Sequence, residues 1–132
     1  MEAWIQRHDC SMVSVSDATV GQCLDLLQSF DWANELVCYE EALAQNLNRC
    51  PPALGLGDGD RILQVMPIRE GRSHYSYACD HPLRILAFFG ASKTLNAWAI
   101  EDEHRATLIG HHFDGNEEKL VGALSQLTQK AG

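Results

Sequence analysis

Apolar and polar residues alternate from Met12 to Ser16, the period of a half-buried strand. The period then changes. Val20, Cys23, Leu24, Leu27 and Phe30 recur three or four apart, which predicts a helix over about 17–30 with Ser16-Asp17 as its N-cap. Trp32, Leu36, Tyr39, Leu43 and Leu47 repeat that spacing, so a second helix is expected over about 31–48, its wet side supplied by Glu35, Glu40 and Glu41. Cys50-Pro51-Pro52 stops it, because proline lacks an N–H and restricts the residue before it.

After a Pro/Gly loop over 51–60 the alternation returns. Arg61–Ile68 reads as a strand whose Pro67 end lies at a sheet edge or a break. In His74–Cys79, Tyr75, Tyr77 and Cys79 share one face. Leu83–Phe89 is a short apolar run that fits a central strand, or a helix capped by Asp80 and ended by Gly90. Asn96–Glu101 and Arg105–His112 are expected to form a hairpin around Asp102-Glu103. Asp114 then caps a last helix, with Leu120, Val121, Leu124 and Leu127 as its stripe and Glu117-Glu118 in its first turn. The expected order is β-α-α-β-β-β-β-β-α: a single α+β domain over 1–132, with three helices against an antiparallel sheet of about five strands.

A chain of 132 residues, 45% apolar and 21% charged, suits one globular domain. No apolar run reaches the ~20 residues of a membrane-spanning helix. Met1–Arg7 lacks the basic-then-apolar order of a secretory leader. Cys10, Cys23, Cys38, Cys50 and Cys79 form an odd, irregularly spaced set, which predicts reduced thiols in a cytoplasmic protein, with Cys23 and Cys38 buried on helix stripes.

Charge changes the picture most. Nine acids (Asp9, Asp17, Asp25, Asp31, Glu35, Glu40, Glu41, Asp58 and Asp60) face one base, Arg49, between residues 9 and 60, which is the whole net charge of −8. Residues 61–132 carry eight acids and eight bases. A one-signed segment attracts an oppositely charged partner, while nucleic acid and anionic membrane are disfavoured because phosphate attraction needs Lys and Arg.

The candidate chemical motifs are weak. Gly55-x-Gly57-x-Gly59 follows a helix and precedes a strand, the reverse of a phosphate cradle, and Asp58 and Asp60 repel phosphate; a solvated turn is the expectation. No bidentate carboxylate follows to complete a calcium loop. Lys93-Thr94 lacks Walker spacing and reads as a hairpin connection. His8-Asp9-Cys10 and Cys79-Asp80-His81 are mirror-image triplets that could together offer a Cys2His2 zinc set, or a Cys/His nucleophile, against the bland reading of inert core thiols. Adjacent His111 and His112 point to opposite faces if in a strand.

The leading expectation is a small, acidic, non-enzymatic, cofactor-free inhibitor of the bacterial immunity-protein or antitoxin type. It covers a basic protein partner, such as a cognate toxin, through residues drawn from Asp25, Asp31, Glu35, Glu40, Glu41, Asp58 and Asp60, with Trp32 or Tyr39 as aromatic anchors. The alternatives are a small Cys/His- or zinc-dependent enzyme using His8, Cys10, Cys79 and His81, and a non-catalytic subunit of a larger assembly.

Overall fold

A computed structural model describes residues 1–80 and 94–131. Six antiparallel strands form one sheet: β1 (Glu2–Gln6), β2 (Met12–Val15), β3 (Ala53–Asp58), β4 (Arg61–Pro67), β5 (Arg72–Ala78) and β6 (Thr94–Glu101), in the order β2-β1-β3-β4-β5-β6. Among the described residues four helices accompany it: α1 (Val20–Ser29), α2 (Trp32–Ala44), α3 (Arg105–Phe113) and α4 (Glu117–Ala131), with a 3-10 turn at Asp102–His104. The fold is α+β, as expected, and among the described residues it has six strands, the number in the expected order, all in one sheet, and one more helix than the three predicted.

Register sorts the side chains. Ala3, Leu56, Leu63, Tyr77 and Leu95 stand opposite one another in one row, and Ile5, Leu54, Val65, Tyr75 and Ala97 in the next. All ten are buried. Onto them pack Cys23 and Leu27 of α1, Leu108 and Ile109 of α3, and Leu120, Val121 and Leu124 of α4. Each large aliphatic side chain so buried contributes roughly 1.5–3 kcal/mol of transfer free energy. The shared face read for Tyr75, Tyr77 and Cys79 and the α4 stripe are borne out at these buried positions.

Local chemistry sets the helix ends. Thr19, rather than Ser16-Asp17, caps α1: its hydroxyl accepts from the Gln22 N–H, and the Gln22 side chain accepts from the Thr19 N–H. Asp31 caps α2 by accepting from Asn34 N–H. For α4 the capping oxygen is that of Asn116, on Lys119 N–H, and Asp114 instead ends α3.

One strand is added and two expectations are corrected. Residues 2–6, for which the pattern predicted no element, are a strand, with Ala3 and Ile5 inward. Residues 53–58 are also a strand rather than loop. Its glycines serve packing: a Cβ on Gly55 would come within 2.1 Å of the Trp4 ring, and one on Gly57 within 3.0 Å, so Trp4 lies flat across the glycine backbone. Only Gly59, at φ +60°, meets the turn requirement assigned to all three. Residues 105–113 are helix rather than the second arm of a hairpin, with Leu108, Ile109 and His112 on its buried side at helical spacing. His112 turns inward and its Nε2 hydrogen-bonds Leu56 O at 2.9 Å, while His111 is half-buried, so the strand geometry assumed for the pair does not apply. Leu83–Phe89, the Gly90–Thr94 connection up to Lys93, and His81 lie outside the described residues.

Candidate interaction surface

His8-Asp9-Cys10 forms the loop of the β1–β2 hairpin. Arg7 O accepts from Cys10 N–H and Arg7 N–H donates to Ser11 O, both at 2.9 Å. That turn requires a left-handed third loop residue, a place that favours glycine, and Cys10 occupies it at φ +71°. Its side chain explains the choice: Cys10 is bonded to Cys50. The expectation of five reduced thiols is therefore wrong for this pair. Gln6 pairs with Ala53 in the β1–β3 ladder, so the chain leaving β1 and the chain entering β3 run side by side despite a separation of 40 residues. Cys50 N–H also donates to His8 O at 2.9 Å. Cys23 is buried as expected, and burial pushes its thiol pKa up; Cys38 is only half-buried.

α2 is tied to the same loop. Glu35 is 1% exposed and takes Arg7 Nε at 2.6 Å on one oxygen and His8 Nδ1 on the other. The Glu35 hydrogen bond and charge raise the Arg7 pKa. Glu35 was expected on the wet side of α2; it is instead the buried joint between helix and hairpin, and its burial is offset by the Arg7 and His8 partners on its two oxygens. Trp32, proposed as an anchor for a partner, is buried too, with Nε1 donating to Leu26 O at 3.2 Å and its ring edge-on to Phe30.

The remaining acids divide. Asp9 accepts from Ser11 N–H and Oγ, bonds that hold its pKa low. Asp31 is occupied as a cap. Both Glu40 oxygens take Arg69 Nη2, at 2.8 and 3.0 Å, bridging α2 to the β4–β5 turn. Beside that bridge Leu36, Ile68, Glu70, Arg72 and Ala99 line an open groove of about 330 Å³. Asp58 is 3.5 Å from Arg61. Asp17, Asp25, Glu41 and Asp60 make no ion pair among the described residues, and all four are exposed. Tyr39 is half-buried. Asp58 and Asp60 sit at one end of β3 and the Glu35 joint at the other, about 17–20 Å apart for a strand of that length. The acids form two patches rather than one.

The outer side of α2 also carries apolar residues: Val37, Leu43 and, just beyond its end, Leu47 are exposed among Glu40 and Glu41. As for the zinc set, Cys10 is oxidised, His8 is held by Glu35, Cys79 is buried and His81 is outside the described residues. Among the described residues, no three His, Cys, Asp or Glu side chains gather as a metal site. That leaves no thiolate nucleophile at Cys10 while its bridge is intact.

A further feature has no signal in the residue pattern. Trp98 and Ala99 form a β-bulge opposite His74, with Ala99 at φ +54°. The bulge sets the Trp98 ring 3.7 Å from the His74 ring, centroid to centroid, with Trp98 64% exposed. His74 is buried beneath it with Nδ1 unpaired, and burial pushes its pKa down against hydrogen bonding to Asn96 and the Ala97 backbone.

No helix of the described residues is long and apolar enough to cross a membrane. No protein-family model, curated protein or solved structure matches the chain.

Proposed function

We propose that the protein is a non-enzymatic inhibitor of the immunity-protein or antitoxin type, which captures a basic protein partner through the outer side of α2 and the exposed acids around it. The observation that carries this reading is the interleaving on α2 of exposed Val37, Leu43 and Leu47 with Glu40 and Glu41. Apolar side chains supply contact area, and the carboxylate of Glu41, beside the Arg69-bound Glu40, speeds the encounter with a basic surface. Asp25 and Glu41 direct their charge outward, and Asp60 does so from the second acidic patch, whereas Glu35 and Trp32 act inside the molecule and leave the partner-facing set. Tyr39, Asp31 and Asp58 stay at its margin.

Immobilised protein tests the reading against the triple variant Asp25→Lys, Glu41→Lys, Asp60→Lys. Wild type is expected to retain a basic protein at low salt and release it as salt shortens the screening length, and the variant to lose it. Retention of the same proteins by both would remove the acids from the interaction. The compartment enters through the bridge: a cytoplasmic protein would keep Cys10 and Cys50 reduced, an oxidising compartment would join them. Alkylation of thiols in intact cells, before lysis, separates these two settings.

A further inference from the structure

β2 is the outermost strand on one side of the sheet, and its two sides are not equivalent. Toward β1 it is fully engaged, from Ala3 opposite Val15 to Gln6 opposite Met12. Because Arg7 N–H donates to Ser11 O, the hydrogen-bonded positions of this ladder alternate onward through Val13 and Val15. Met12 and Ser14 therefore aim their N–H and C=O groups away from the sheet. Among the described residues no other backbone group meets them.

The side chains there are apolar. Met12 is 61% and Val13 54% exposed, on opposite faces of the strand. Protected edges commonly carry a charge within the strand, a proline or a covering element. None of Met12, Val13, Ser14 and Val15 is charged or proline. The charges stand at the two ends instead, exposed Asp9 before the strand and exposed Asp17 after it, with Glu2 beside the Asp17 end.

We infer that the free edge of β2 docks an extended segment of a protein partner, with an apolar centre and Lys or Arg at both ends, added antiparallel to the sheet. Edge addition draws affinity from backbone hydrogen bonds and specificity from alternate side chains. Here the Met12 and Ser14 groups supply the bonds, Met12 and Val13 the apolar contacts, and the flanking carboxylates the choice of partner charge. The same carboxylates argue against a second copy of this chain. Antiparallel pairing of two β2 edges through Met12 and Ser14 would place Asp9 of one copy beside Asp17 of the other. This inference rests on the basic-partner reading and gives it a second contact surface, apart from α2.

Two peptides test it by NMR shift mapping on the full chain: Lys-Lys-Val-Thr-Val-Thr-Lys-Lys and its counterpart with Glu at the four ends. The variant Ser14→Pro deletes an outward N–H and leaves the β1–β2 ladder intact; Met12→Lys is the second variant should Ser14→Pro fail to fold. The Lys peptide is expected to shift Met12–Ser16, to bind at least about tenfold more tightly than the Glu peptide, and to lose about tenfold with either variant. No shift at Met12–Ser16, equal binding by wild type and variant, or equal binding of the two peptides overturns the inference. Self-association that Ser14→Pro abolishes overturns it in favour of a second copy. Each of these results leaves the α2 charge-reversal experiment intact, so the edge and the basic-partner reading fail separately.

Discussion

The two faces of one sheet obey the same alternation and end in different states. On the covered face Leu54, Leu56, Leu63, Val65, Tyr75 and Tyr77 are inaccessible, beneath α1, α3 and α4. On the other face stand Met12, Trp4, Gln64, Met66, Asn96 and Trp98, of which Met12, Asn96 and Trp98 are exposed. Trp4 finds its packing surface not in a helix but in the bare backbone of Gly55 and Gly57. Alternation states which residues share a face, whereas burial depends on what the rest of the chain lays over it.

Breaking the covered face should have the largest effect. Leu63→Ala deletes a side chain with no exposure, and urea unfolding is expected to show a loss of about 2–5 kcal/mol. Next comes the clamp at the rim. Replacing Cys10 and Cys50 together with Ser should lower stability by about 2–4 kcal/mol. Amide exchange should then rise first in α2, whose buried residues are only Trp32 and Glu35. Uniform acceleration across the sheet would instead show that the bridge serves the whole fold.

Gly55→Ala probes the open face where it is most closely packed. The added methyl would meet the Trp4 ring, so a cost of about 1–3 kcal/mol is expected, with a change in tryptophan emission as the ring lifts. An unchanged melting point would mean that Trp4 is free to leave its glycine bed.

Acid gives a smaller, graded comparison. Burial holds the pKa of His112 on the covered side and of His74 on the other below the ordinary histidine value. The unfolded chain then takes up protons first, near pH ~6.5, so stability that is complete above that value declines as pH falls toward the folded values. Denaturation midpoints measured across that interval should fall with pH. His112→Asn and His74→Asn should each flatten the slope, and a slope left unchanged by both would assign it to other groups. The smallest effect is expected from Trp98→Ala, about ±0.5 kcal/mol, since that ring is mostly in solvent. A loss comparable to Leu63→Ala would show this face to be more firmly covered than its exposure indicates.

What is local was legible along the chain. Spacing of three or four placed α1, α2 and the Leu120–Leu124 stripe of α4; alternation placed β4 and the inward tyrosines of β5; the balance of acids and bases set the −8. The rest came from contacts between distant segments. β1 and β3 pair across about fifty residues, so nothing next to Gly55 announces Trp4, and nothing next to Cys10 announces Cys50. Glu35 looked like one more solvent-facing acid of a helix until Arg7 and His8 arrived from another element. α3 looked like a strand because its short apolar run fits either period, and the covered sheet beneath it chose the helix. Periodicity records how neighbours along the chain share a face. Which carboxylate is enclosed, which thiol is bridged and which edge stays open depend on partners that the chain brings together only when it folds.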